Sequence, residues 1–314
     1  MTQHALQDED RTSRWYVSSR RATPSNTGGP STLLAAASLS LNGLTLTATA
    51  GQIGYLGPAG SWTHHACLEL FGPSDLVPMS QDELIAAYRS DTIDLACLPI
   101  MTSLVGATPF LDPVLDLANV RIVAEYPKML GYSLLARHGT RLEDVKEVLG
   151  HPVAFEEVKH WLDCRLPQVR RTATASSGAA AQTVVNSEAL VKASIGPKFG
   201  AAIYGLASIV DGIEEGPHNV TRWWVLGRDS PSPTENDKTS LLATVRDADL
   251  ASLLASFAGA GVQILTIYER PAKTGLDRHR YLIEVAGHEM MNSLAGLLCK
   301  RPDIRVLGSY PRRY

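Results

Sequence analysis

From Gln52 onward, short apolar runs alternate with helix-patterned segments, and this alternation constrains the fold more than any other feature. Ile53-Gly54-Tyr55-Leu56 reads as a buried strand. A Gly57-Pro58 turn follows, then a helix over about 61–70, for which Ser61 is a natural N-cap because its hydroxyl can accept from a free N–H of the first turn. Leu76-Val77-Pro78-Met79 and the run at 93–100 are further strands, with a helix near 81–89 between them. Strand–helix–strand order requires crossover connections, so the sheet is mostly parallel. A second unit of the same kind begins near Met129, with strands at about 131–136 and 169–172. A helix near 151–162 separates them, and another starts at Ser177. Apolar stretches at 193–195 and 203–206 come next, and the chain returns through 220–227 toward the first unit. Two α/β lobes joined by two crossings enclose a cleft of the kind that binds small ligands.

Residues 228–237 read as a linker, since Asp229, Ser230, Pro231, Ser232, Pro233 and Thr234 are turn or breaker residues. Beyond it the pattern is strand (239–245), helix (250–257, ended by Gly259-Ala260-Gly261), strands (262–267 and 281–285), helix (290–298) and strand (305–307). This βαββαβ order is ferredoxin-like. The chain therefore divides into an N-terminal extension of low order (1–50), a two-lobe domain (51–228) and a smaller C-terminal domain (238–314). The extension is rich in Ser, Thr, Arg and Ala, and a short appended strand near 39–46 fits it. An export signal ending near Ala50 is the alternative, from Arg20-Arg21, Leu33-Leu34-Ala35-Ala36-Ala37 and the small-x-small form of Ala48-Thr49-Ala50. Ser38, Ser40, Asn42 and Gly43 interrupt its apolar region and count against it.

A length of 314 residues supports two cores. The net charge of −3 gives no electrostatic case for nucleic acid or an anionic membrane, and no run reaches the roughly 18 apolar residues of a membrane span. The four cysteines are scattered, with no Cys-x-x-Cys, and read as small buried apolar groups in a reducing, cytoplasmic compartment. Neither a metal nor an organic cofactor is expected.

The segment Asn219-Val220-Thr221-Arg222-Trp223 brings a hydroxyl and a fixed cation to the mouth of a strand. That pair suits a small carboxylate substrate, with Arg222 forking the anion and Thr221 positioning or passing a proton. A solvated strand start is the plainer reading. Ser61 and Thr63 begin one helix, and Ser176 and Ser177 begin another. Helix N-termini offer free N–H groups to anions, while simple capping or tight helix packing explains the same residues without a ligand.

The segment resembles the Asn-x-Thr-Arg-Phe motif of prephenate dehydratases, with Trp223 in place of Phe. Gly57-Pro58-Ala59-Gly60-Ser61-Trp62-Thr63-His64 resembles that family's opening Gly-Pro-x-Gly-Thr-Phe-Ser/Thr-His, and Val306-Leu307-Gly308-Ser309-Tyr310-Pro311 resembles the end of its ACT regulatory domain. The three lie in the family's order. The resemblance implies a two-lobe, periplasmic-binding-protein-like catalytic domain followed by a ferredoxin-like ACT domain. It also implies decarboxylating dehydration of prephenate to phenylpyruvate in phenylalanine biosynthesis, a carbon–oxygen lyase reaction, and a homodimer or homotetramer. Thr221 is expected at the leaving hydroxyl and Arg222 at a carboxylate, with Ser61, Thr63, Thr102, Ser103, Ser176, Ser177 and Asn219 as substrate contacts. Several positions depart from the family pattern. Pro-Ile-Glu-Asn-Ser stands here as Pro99-Ile100-Met101-Thr102-Ser103, and His-Pro-Gln as His151-Pro152-Val153. The ACT segments Gly-Ala-Leu and Glu-Ser-Arg-Pro have become Asp249-Leu250-Ala251 and Tyr268-Glu269-Arg270-Pro271, so phenylalanine binding is expected to be weak or lost. Two alternatives stay open: a diverged relative in specialised metabolism acting on prephenate or a similar cyclohexadienol acid, and a non-catalytic binding protein.

Overall fold

The computed structural model describes residues 51–314, apart from 74, 189–190 and 217, together with the backbone at 37–41 and 44–48. The described residues fall in one compact unit. β1 (Ala37–Leu41) and β2 (Leu44–Ala48) pair antiparallel as a hairpin. The export reading ending near Ala50 lies largely outside the described residues.

The first lobe contains β3 (Ile53–Leu56), α1 (Trp62–Phe71), β4 (Leu76–Met79), α2 (Gln81–Arg89), β5 (Leu95–Thr102), β6 (Gly106–Ala107), α3 (Leu111–Leu115) and β7 (Ile122–Met129). The second contains β8 (Ser133–Ala136), β9 (Glu147–Gly150), α4 (Pro152–Glu157), α5 (Lys159–Arg165), β10 (Arg170–Ala173), α6 (Ser177–Val185), β11 (Lys192–Gly196), α7 (Phe199–Tyr204) and β12 (Ala207–Asp211). β13 (Val220–Leu226) returns to the first sheet, whose order is β4-β3-β5-β13-β7; the second sheet runs β10-β9-β11-β8-β12. β3, β4 and β5 are parallel, as are β9, β10 and β11, while β13 and β8 run against their neighbours. The helix expected over 151–162 is two short ones, because Val158 leaves helical geometry at φ −118°. The apolar stretch at 203–206 closes α7 on Gly205, at φ +64°, before β12 begins. β7 is a strand that the sequence pattern does not announce.

The C-terminal domain follows the expected order: β14 (Asp237–Arg246), α8 (Asp247–Gly259), β15 (Ile264–Pro271), β16 (Arg278–Ala286), α9 (Asn292–Lys300) and β17 (Ile304–Pro311). Its antiparallel sheet, β15-β16-β14-β17, carries both helices on one face, where Leu241, Ala243 and Ile283 of the strands meet Leu253 and Phe257 of α8 and Leu294 of α9. The other face packs on the first lobe. Leu242, Leu282, Leu307 and Tyr310 pack into one apolar cluster with Trp224, Leu226, Leu98 and Ile100 of the first lobe. The approach is close enough that a Cβ on Gly308 would lie 2.1 Å from the Ile122 carbonyl oxygen, so β17 can cross β7 here only with glycine.

Candidate functional site

The cleft lies between the carboxyl ends of the parallel strands of both lobes, where a topological switch leaves room for a ligand. Three loops leave these ends and enter helices: 57–61 into α1, 174–176 into α6 and 197–198 into α7. The lobes touch at these loops. The Tyr204 hydroxyl donates to the Ala59 carbonyl. A Cβ on Gly178 would stand 2.6 Å from Pro58 Cγ and 2.8 Å from the Ala59 oxygen, and one on Gly200 3.3 Å from the Gly60 oxygen.

The first turn of α6 therefore packs against the loop that leads into α1. Ser61 Oγ accepts from the His64 N–H at 3.2 Å, and Ser176 Oγ from the Ala179 N–H at 3.1 Å, so both serines act as the caps the sequence suggests. The N–H groups of Trp62, Thr63, Ser177 and Gly178 have no acceptor among the described residues. Two helix dipoles and these free donors make the space between them favourable for an anion. The imidazole of His64 stacks on Tyr55 at 5.1 Å between centroids, and burial pushes its pKa down. Its Nδ1 accepts from the Gly60 N–H at 3.0 Å, so the ring braces the loop as a neutral group.

β13 supplies the rest. Side chains alternate along a strand, so Thr221, Trp223 and Val225 share one face and Arg222, Trp224 and Leu226 the other. Trp223 and Val225 pack beside Ala66 and Cys67 of α1, whereas Trp224 and Leu226 pack against the C-terminal domain. Thr221 is only 4% exposed, and its hydroxyl has no hydrogen-bond partner among the described residues. Thr63 Oγ1, in the first turn of α1, accepts from the Trp223 indole N–H at 3.1 Å.

Asn219, Ser103 and Thr102 serve the scaffold. Asn219 Nδ2 donates to the Tyr132 hydroxyl at 3.1 Å, and its carbonyl accepts from the Leu130 N–H at 2.8 Å, which ties together the two segments that cross between lobes. Ser103 Oγ donates to the His218 carbonyl and accepts from the Val220 N–H at 2.9 Å. Thr102 Oγ1 accepts from the Val105 N–H at 3.1 Å within its own turn. On the hinge side of the cleft, Trp62, His65, Lys128, Met129, Lys198 and Phe199 contribute to the lining of a cavity of about 430 Å³. Sequence reasoning did not single out its cations, which are partly neutralised: Lys128 meets Glu69 at 2.6 Å and Lys198 meets Asp211 at 2.6 Å.

Arg222 requires a correction. The sequence sets it beside Thr221 at a substrate carboxylate, but strand alternation points it the opposite way, into the junction with the C-terminal domain. Its Nη1 lies 2.7 Å from Glu284 Oε2 and 3.6 Å from Glu125 Oε2, and donates to the Tyr314 hydroxyl at 2.6 Å. Lys238 Nζ sits 3.0 Å from Glu125 and 3.8 Å from Glu284, so two cations and two carboxylates are buried together. Burial alone would raise the pKa of Glu284. Arg222 and Lys238 outweigh it and bring that carboxyl below its ordinary value. Glu125 stays raised, because burial exceeds the help its cations give.

Met101 belongs to this junction as well. A bulge lets Arg222 face Met101 while Trp223 faces Pro99, and the Met101 sulfur lies 3.9 Å from Arg222 Nη2. The glutamate missing from position 101 is thus an interdomain change and not a cleft change. Val153 remains at the lobe-two edge, in the first turn of α4 behind the cap His151.

The comparisons agree with this geometry. The family profile described as prephenate dehydratase matches residues 53–231. A curated prephenate dehydratase of Mycobacteroides abscessus is 32% identical over 279 residues, covering 83% of this chain and 90% of its own. One from Mycolicibacterium vanbaalenii is 30% identical over 284 residues, covering 82% and 90%. Among solved structures, the prephenate dehydratase of Arthrobacter aurescens in complex with L-Phe superposes with a TM-score of 0.76 at 28% identity, covering 83% of this chain and 90% of that one. A family profile spanning more than half the chain and relatives of about 30% identity over four-fifths of it settle the matter: the chain belongs to the prephenate dehydratase family.

Proposed function

We propose that the cleft converts prephenate to phenylpyruvate, carbon dioxide and water, with Thr221 at the leaving hydroxyl. The ring carboxylate departs as carbon dioxide, its bonding electrons enter the ring, the ring hydroxyl leaves with a proton as water, and aromatisation drives the step. The observation that carries the assignment is the uncommitted Thr221 hydroxyl at the inter-lobe edge, inside the family's motif. That hydroxyl can hydrogen-bond the departing oxygen and guide its proton. The free N–H groups at the starts of α1 and α6 suit the side-chain carboxylate, which must stay bound while the other leaves. The test is incubation of the purified chain with prephenate, following both prephenate loss and phenylpyruvate absorbance. Appearance of phenylpyruvate supports the reading. Consumption without it would point to a cyclohexadienol chemistry that stops short of aromatisation, and no consumption to a binding protein.

Inter-lobe closure is part of this reading. Gly178→Ala puts a methyl where Pro58 and the Ala59 carbonyl already sit, so the start of α6 must move away from the loop before α1. The expected result is a fall in kcat/KM of about tenfold or more, since small misplacements are costly in catalysis, with a lower melting temperature from the overlap.

The C-terminal domain supports weak phenylalanine control. Tyr268 packs with Met101 in the interdomain apolar cluster, and Asp249 is paired with Arg246 at 2.9 Å. Titration calorimetry should therefore show no micromolar phenylalanine binding; a micromolar isotherm would overturn this. The unpaired outer edge of β15 offers a place for a second copy of the chain. The four free cysteines, two of them buried, fit a reducing cytoplasm. No described helix is long and apolar enough to cross a membrane.

A further inference from the structure

Trp62, Trp223 and Trp224 all border the first-lobe core, but their indole nitrogens fare differently. Those of Trp62 and Trp224 are buried without a partner among the described residues, while that of Trp223 donates to Thr63 Oγ1 at 3.1 Å. Trp223 is 1% exposed and Thr63 4%, so water does not compete for this bond. Thr63 sits in the first turn of α1, beside backbone N–H groups that have no acceptor among the described residues. With one lone pair of Oγ1 engaged by the indole, the hydroxyl proton needs an acceptor elsewhere, and none of the described residues provides one. The carbonyl of Ala59, four residues back, accepts from Tyr204 and not from Thr63.

We propose that Trp223 is a positioning residue: its indole N–H orients Thr63 so that the Thr63 hydroxyl donates into the cleft, to a carboxylate oxygen of the substrate. The inference rests on the proposed dehydratase reaction and specifies how its site holds the anion. A phenylalanine at 223 would fill the same core space but could not set the Thr63 hydroxyl, so the device depends on tryptophan. Because the carboxylate is held alike before and during reaction, the bond bears on KM more than on kcat.

The test is a double-mutant cycle on the full chain with Trp223→Phe and Thr63→Val, measuring kcat, KM and melting temperature. Thr63→Val should raise KM roughly ten- to a hundredfold, the range for a lost bond to a charged group, with kcat little changed. Trp223→Phe should raise KM by a smaller factor, and the double variant should be no worse than Thr63→Val alone. Thr63→Val should also melt below the double variant, because it alone leaves the indole N–H buried without a partner. Additive KM effects, or a Trp223→Phe variant that changes melting but not KM, would overturn the proposal. A readout independent of turnover separates this from the function reading. The Trp223 indole ¹H–¹⁵N resonance should be protected from exchange in the unsubstituted protein and should shift and lose protection in Thr63→Val. If prephenate is not turned over but the resonance behaves so, the reaction assignment fails and the hydrogen bond stands; if the resonance is unprotected, the positioning role fails whatever the activity.

Discussion

Thr221→Ala should lower prephenate turnover by a factor of about a hundred or more, the scale of assistance from a positioned proton-handling group. The structural reason for expecting a clean result is that the Thr221 side chain spends no hydrogen bond on the fold. Its register in β13, opposite Thr102 on one side and Lys128 on the other, is made by backbone alone and survives the change. Removing one small group from a residue only 4% exposed leaves a minor void, so the melting temperature should move by a few degrees at most. Thr221→Ser keeps the hydroxyl and should retain most of the activity. The loss should fall in kcat, because a group acting on the departing oxygen works in the transition state. An alanine variant with ordinary kcat would remove Thr221 from the chemistry.

The second large effect is on stability and concerns the four charges between the domains. Glu284→Gln should destabilise the protein by about 3–5 kcal/mol at neutral pH, the range for removing one partner of a buried ion pair, because it leaves Arg222 and Lys238 facing Glu125 alone. Arg222→Met should cost a similar amount, and combining it with Glu284→Gln should recover part of the loss, since one cation and one carboxylate then remain. The pH dependence has a definite sign. Glu284 has a folded pKa below its ordinary value, so its contribution is complete above the unfolded value near 4.5 and fades as pH falls through the folded one. The gap between the unsubstituted protein and Glu284→Gln should therefore narrow under acid conditions, which denaturant melts carried from neutral pH to well below pH 4.5 would reveal. Glu125, with its raised pKa, has the opposite sign, so the acid limb of the unsubstituted protein is shallower than Glu284 alone would make it. The same variants separate two roles for Arg222. As a member of the interdomain cluster, Arg222→Met should lower stability while KM for prephenate in the folded fraction stays within a fewfold. A large rise in KM at unchanged stability would return Arg222 to the substrate.

The sequence by itself determined the alternating α/β lobes, the ferredoxin-like order after the linker, the serine caps of α1 and α6, and the motif that brings Thr221 to a strand mouth. These rest on local physics: hydrophobic period, cap chemistry and turn residues, each written within a few neighbours. Tertiary structure decided what depends on distant partners. β7 is hard to read because Glu125 interrupts its apolar run, and a buried carboxylate makes sense only once Lys238, 113 residues away, is placed 3.0 Å from it. The direction of Arg222 depends on which face of β13 meets the C-terminal domain, and that of Met101 on a one-residue bulge at Ile100 in its own strand, β5. Glu284 and Tyr314 carry no sequence signal for their part in the cluster, since a charge in a strand is ordinary until a domain interface closes over it, and Tyr314, itself 55% exposed, joins only through its hydroxyl. The hydrogen bond from Trp223 to Thr63 spans 160 positions of sequence, and only the packing of α1 on β13 brings the two motifs into one site.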